Sequence, residues 1–232
     1  MIDLNNYNLE HGGFDYSKLK SDIIENFKNV GLKDEALRQS YAAMLSKVKA
    51  DKLKIEAIRL NRDSFDNMKK DGLLSERKAE KLDKQFLALL NSGLCVDDEE
   101  LRFDDLVLPS LLIQSIQMQD YNRIGLLLAA GAPIVIDKNH MEKDTLCAIA
   151  QVGDLNSALI VLSFMEKPLG EHWLLGILNA NVLENPKAYV LRELIARRSA
   201  ELGDDYDNLM KNSIKSYRQK MNITDCDDDF IK

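Results

Sequence analysis

The chain is poor in the residues that punctuate or staple a fold. Four prolines and eleven glycines in 232 residues are too few for a loop-rich all-β architecture, which needs turn formers at nearly every strand junction. The three cysteines, Cys95, Cys147 and Cys226, are odd in number and far apart, so reduced thiols are expected rather than a disulfide framework. His11, His140 and His172 include no pair at four-residue spacing, and no CxxC occurs, which leaves histidine-based metal chemistry little to draw on. Gly12-Gly13 opens no Gly-Lys-Ser/Thr phosphate loop. The acidic run Val96–Asp105 lacks the alternating ligands and central glycine of a calcium loop and reads as solvated. No cofactor and no metal is expected.

Other absences concern location and partners. No uninterrupted apolar run is long enough to cross a bilayer. Met1-Ile-Asp-Leu-Asn-Asn-Tyr-Asn has no basic region followed by an apolar stretch, so no secretory leader is expected there. A cytoplasmic protein follows. The net charge of −7 argues against general nucleic-acid binding. The lysine-rich stretch Lys47–Lys54 has acids among its bases and no interleaved aromatic platform, so it reads as a solvated helix face.

What remains is helical. Hydrophobic residues at 45% and charged residues at 30% describe a globular protein, and its charged, Leu- and Ala-bearing runs favour helices. After a polar lead-in over residues 1–14, with His11 as a loop residue, Leu19, Ile23, Ile24 and Phe27 recur at helical spacing up to Gly31. A long helix over about 34–70 carries the seam Leu37, Tyr41, Met44, Val48, Ile55, Ile58 and Phe65. Ser75 caps the next helix, which ends near Gly93. These two helices pack as an antiparallel hairpin, so residues 15–95 form an N-terminal, coiled-coil-like helical region. The seam is free either to close within the chain or to make a homodimer. Leu87–Gly93 also echoes the close of the repeats described next.

Residues 106–200 hold a repeated pattern. Ser110–Ala132 and Asp144–Met165 align with an offset of 144 − 110 = 34 residues, each copy an apolar helix, a polar break and a second apolar helix. A fixed period of that size marks stacked helical repeats, which bury their faces only against neighbours of the same shape. Asp120 and Asp154 suit helix N-termini, and Gly131 and Gly153 suit left-handed turns. Trp173–Leu178 and Ala188–Ile195 form a third, diverged pair, with Trp173 in its core. A last amphipathic helix covers 204–222, and an acidic tail covers 223–232.

Leu126-Leu127-Leu128-Ala129-Ala130-Gly131-Ala132 resembles the end of an ankyrin second helix and its Gly-Ala turn. Ala148–Leu155 resembles the end of an ankyrin first helix with the turn after it. The family's Thr-Pro-Leu-His opening is replaced by Ser110-Leu111-Leu112-Ile113 and Asp144-Thr145-Leu146-Cys147, and Phe164-Met165 stands where the second Gly-Ala turn belongs. The resemblance implies an all-α fold with a short ankyrin-like stack behind the helical hairpin. It also implies a partner protein bound on the concave face, through Gln114, Gln117, Met118, Gln151 and Val152 beside the turn residues Lys138, Asn139 and His140.

Two functions are consistent with this reading. One is a non-catalytic module that binds another protein. The alternative is an enzyme with a helical catalytic region whose repeats select a protein substrate. Cys147 with His140 or His172 is the nucleophile–base pair to weigh, against a buried structural cysteine. The Lys-, Asn- and Asp-rich composition, diverged repeats and acidic tail also resemble effector proteins that intracellular bacteria deliver into host cells. That likeness implies action on a host protein in the host cytoplasm, with Asp227–Ile231 as part of an export signal.

Overall fold

Spacing and capping place the helices, and long-range packing decides where they bend. The computed structural model describes residues 3–9, 13–70, 73–98, 100–103, 106–137, 139–170, 172–181 and 186–222. The fold is all-α. In chain order come α1 (Tyr16–Asn29), α2 (Glu35–Ala43), α3 (Lys47–Met68) and α4 (Leu73–Asn91), then the strands β1 (Glu100–Phe103) and β2 (Leu106–Pro109). Next follow α5 (Leu111–Gln117), α6 (Tyr121–Ala129), α7 (Thr145–Val152) and α8 (Leu155–Phe164). The chain closes with α9 (Leu174–Asn181), α10 (Pro186–Glu201) and α11 (Tyr206–Lys220).

The repeated segment forms helix pairs stacked side by side. α5 packs on α6 and α7, α6 on α8, α7 on α9 and α8 on α10, and α11 covers α9 and α10. Each early helix starts on a side-chain cap: Ser110 Oγ accepts from Ile113 N, and carboxylates of Asp120, Asp144 and Asp154 accept from the backbone N–H three residues on. These bonds satisfy N–H groups that a helix start leaves unpaired. Gly131 (φ 87°) and Gly153 (φ 69°) take left-handed turns, and Ala132 N and Gly131 N donate back to the carbonyls of Leu127 and Leu128.

The second copy has no glycine at the equivalent end, and a side chain does the work instead. Arg198 of α10 donates through Nε to Leu162 O at 3.1 Å and through Nη2 to Met165 O at 3.2 Å. The carbonyls at the end of α8 are thus satisfied from the next pair, and Met165 turns inward, 2% exposed. Arg38 of α2 serves α6 in the same way, donating to Ala130 O at 3.0 Å.

α1 forms an additional layer on the outer helices. Leu19 and Ile23 are fully buried where α1 crosses α6 and α8. Gly125 permits this approach: a Cβ there would lie 3.2 Å from Phe27 Cε2. Tyr16 begins α1 beneath Arg198, whose guanidinium sits 4.9 Å from the ring centroid. Burial pushes the Tyr16 phenol up to about 12; Glu201 adds to the rise and Arg198 opposes it. A phenol that holds its proton more tightly in the folded chain stabilises fully below pH 10. That contribution, roughly 2 kcal/mol, should be lost as pH rises from about 10 to 12. Urea unfolding at pH 9 and pH 12 should show the loss, and Tyr16→Phe should reduce it.

Several expectations are corrected. The single helix over 34–70 is two, broken at Met44–Ser46, because the last turn of α2 lies on the backbone of Gly93. A Cβ at Gly93 would meet Ala42 N at 2.7 Å and Tyr41 C at 2.9 Å. Apart from Ile58, which packs against the core, the seam is not the packing face of α3. That face is Ala57, Leu60, Asn61, Ser64 and Asn67, while Leu37, Met44, Val48 and Ile55 are 42%, 71%, 65% and 55% exposed. The α3–α4 hairpin does form. Ser75, however, lies inside α4 rather than capping it, and ties the hairpin together by donating to Asn67 O at 2.9 Å.

Two loop readings also change. Within the acidic run, Leu101 pairs with Leu108 in an antiparallel ribbon and is 1% exposed. Within the lead-in, Leu4–Tyr7 form a 3₁₀ turn whose Tyr7 is buried and donates to Asp22 Oδ2 at 2.9 Å. His11 and the tail 223–232 lie outside the described residues, as do Asp71 and Gly72 between the two hairpin helices. No described helix is long and apolar enough to cross a membrane.

Candidate functional site

Of the two nucleophile–base pairs read from the sequence, Cys147 with His172 does come together, and exposed His140 is not part of the cluster. Asp144 caps α7 by accepting from Cys147 N at 2.8 Å through Oδ1. Its Oδ2 accepts from Asp137 N at 2.9 Å and meets His172 Nε2 at 2.8 Å. Leu174 N donates to His172 Nδ1 at 3.0 Å. Donor atoms of Asp144, Cys147 and His172 all lie within 4.8 Å of one another, and the three residues are buried. His172 also stacks on Trp173.

The hydrogen bonds determine what this cluster can do. Because Nδ1 accepts a backbone N–H, the ring proton sits on Nε2 and is donated to Asp144. No lone pair on the ring is left to take a proton from Cys147, which is 1% exposed, so the pair cannot act as nucleophile and base. A metal on Nε2 would oblige Nδ1 to carry the proton and face the Leu174 N–H, donor against donor. The donor set therefore does not fit a metal. The cluster is a clamp that fastens the second helix pair to the third.

A second polar cluster joins the α3–α4 hairpin to α6. Arg123 is 1% exposed, stacks on Phe86 at 3.9 Å and donates to Asp83 Oδ1 at 3.2 Å. Asp120 Oδ2 accepts from Ser64 Oγ at 2.7 Å. Burial pushes the Asp83 carboxyl up against the pull of Arg123, and burial pushes the Arg123 guanidinium down. Arg123 Nε and Nη1 and both polar atoms of Asn61 find no partner among the described residues, so this joint is less well satisfied than the clamp. Asn61, Ser64 and Asn67 gave no sequence signal, because polar residues at helical spacing read as a solvated face.

The residues expected to bind a partner divide into three groups. Gln114 is corrected: it is 8% exposed, and its Nε2 donates to Pro109 O at 2.8 Å, because α5 is covered by α3, α6 and α7. Gln117 and Gln151 are exposed, Met118 and Val152 half-buried, and the 34-residue offset puts the two couples at matching ends of α5 and α7. Asn139 and His140 are exposed but precede the opposite end of α7, about 12 Å away along its axis. They are held in a turn by Asp137, whose carboxyl is drawn below its usual range by the Asn139 N–H first and by His140 after it. Lys138 lies outside the described residues.

The structure adds a groove that the sequence reading missed. It occupies about 560 Å³ where α6 and α8 end. Leu128, Ile134, Ile136 and Phe164 supply its apolar lining, and Glu35, Glu166 and Lys167 its charged residues. Lys20 binds Glu166 at 2.6 Å and holds that carboxyl below its usual range. The available signal was Pro133-Ile134-Val135-Ile136, an apolar run straight after the Gly131 turn. Its backbone is fixed at Val135, which accepts from Thr145 N at 2.9 Å and donates to Thr145 Oγ1 at 3.0 Å. Comparison with protein-family models, with curated proteins and with solved structures returns no match to this chain.

Proposed function

We propose that the chain is a non-catalytic interaction module that grips an extended segment of a partner protein in the groove at the ends of α6 and α8. The observation that carries this reading is the groove's make-up: the apolar side chains of Leu128, Ile134, Ile136 and Phe164 with the carboxylate of Glu35 beside them. Such a site suits an apolar residue followed by a basic one. The ankyrin-like reading of the stack is supported by its paired helices, by caps 34 residues apart at Ser110 and Asp144, and by the projecting segments before α5 and α7. Lys143 links those segments by its ion pair with Glu100 at 3.1 Å. Gln117, Met118, Gln151 and Val152 form a second, flatter surface. The enzyme alternative draws no support from Cys147 and His172, whose ring has no free lone pair.

The test is quantitative capture of binding proteins from cell lysate. Ile136→Asp combined with Glu35→Lys should weaken the principal captured partner by about thirtyfold, the scale of an interface hot spot. Gln117→Glu with Gln151→Glu should leave it bound. Both proteins must melt like the parent. Equal capture by the groove variant would remove the groove from the interface.

A further inference from the structure

α3 presents an outer face that the fold does not use. Val48 and Ile55 stand one heptad apart on it, 65% and 55% exposed, so they share a side of the helix. Lys47, Lys49 and Lys52 surround Val48, all exposed and without an ion pair among the described residues. The neighbouring cations are occupied: Lys54 binds Asp98 at 2.7 Å, and Arg59 pairs with Glu56 and Asp63. Asp51 is the one carboxylate within the lysine cluster. An apolar centre rimmed by three unpaired lysines is opposite in sign to the chain around it, whose net charge is −7. Isolated apolar residues on a surface need no explanation, but two on one face with a charged rim match the anatomy of an interface.

We propose that this face of α3 docks residues 225–231 of a second copy of the chain. That segment reads Asp225-Cys226-Asp227-Asp228-Asp229-Phe230-Ile231. Four carboxylates meet the lysines around Val48, and the apolar end Phe230-Ile231 falls on Ile55, about 10 Å further along the helix, so the acidic stretch and the apolar end each meet a patch of matching character. Reach selects the second copy. α11 packs on α9 and α10, whereas α3 packs on α4 and α5. Four helix-to-helix steps of roughly 8–10 Å separate α3 from α11. Asp227–Asp229, which must meet the lysines, lie five to seven residues beyond Asn222 and so at most about 25 Å away, which falls short in the same molecule. Reciprocal exchange between two copies closes a twofold dimer.

Charge exchange in the full-length chain tests this. One variant carries Lys47→Asp, Lys49→Asp and Lys52→Asp; the other carries Asp227→Lys, Asp228→Lys and Asp229→Lys. In sedimentation velocity at low salt the parent should associate with rising concentration, and each variant alone should do so at least tenfold more weakly. An equimolar mixture should regain the parent's association, because each copy's segment then meets a face of opposite sign. That recovery could not come from a folding defect. A mixture as weak as its components overturns the proposal, as does a parent that stays monomeric. Variants that associate as well as the parent would move self-association to another surface. Binding of the monomeric parent to phosphatidylserine vesicles would assign the lysine face to a lipid surface instead.

Discussion

Asp144→Ala should lower the unfolding free energy by about 4 kcal/mol, the scale for leaving three buried donors without their shared acceptor. The carboxylate is 0% exposed and serves three donors: the N–H of Cys147, the N–H of Asp137 and Nε2–H of His172. Alanine leaves all three without an acceptor where water cannot reach. For a chain of 232 residues such a loss corresponds to a drop in Tm of roughly 10 °C. Asp144→Asn should fall between parent and alanine, since its amide oxygen can still cap α7 while its NH₂ confronts another donor. Urea unfolding of the three proteins measures this. A change under about 1 kcal/mol for Asp144→Ala would mean that the clamp contributes no more than an ordinary surface hydrogen bond.

The second large effect is expected at Gly93, where two penalties coincide. Its φ of 96° is strained for any residue with a Cβ, and that Cβ would lie 2.7 Å from Ala42 N and 2.9 Å from Tyr41 C. Backbone atoms cannot rotate aside, so α2 must lift. Gly93→Ala should therefore cost about 3 kcal/mol, combining left-handed strain with overpacking. Gly203→Ala is the control, because its φ is 118° with nothing within 4 Å, and only the strain of about 1–2 kcal/mol applies. Hydrogen exchange reports the mechanism. Amides of Glu35–Ala43 should lose protection in Gly93→Ala, since lifting α2 takes Arg38 from Ala130 O. Unchanged protection there would show that the strain is absorbed elsewhere.

The parts of this fold that could be read from the sequence are those set by neighbours in the chain. Asp120, Asp154, Gly131 and Gly153 act within a few residues of themselves, and each takes the cap or turn expected of it. The features that sequence reasoning missed depend on distant partners. Nothing near Met44 says that Gly93 will lie under α2. The spacing of Leu37, Val48 and Ile55 fits a packing face as well as a bare one, and the α3 face actually buried holds Asn61, Ser64 and Asn67. Leu101 was hidden among acids because its alternation with solvent-facing neighbours spans only four residues. At the candidate sites the clamp joins residues 28 positions apart, so its hydrogen bonds are invisible until the stack is built. The groove has the same origin: its walls come from the turn after α6 and the end of α8.

The position of α1 has a consequence for the order in which the chain can fold during synthesis. Its buried face rests on α6 and α8, and α8 begins only at Leu155. From Asn29 to Leu155 the ribosome adds 155 − 29 = 126 residues, which takes about 6–25 s at ordinary elongation rates. For that interval the surface that covers Leu19, Ile23 and Phe27 is incomplete: both of its helices are missing until α6 begins at Tyr121, and α8 is missing until the end. α1 is thus made long before its surface is complete, and the nascent chain carries an exposed apolar stripe through that interval, a natural target for chaperones.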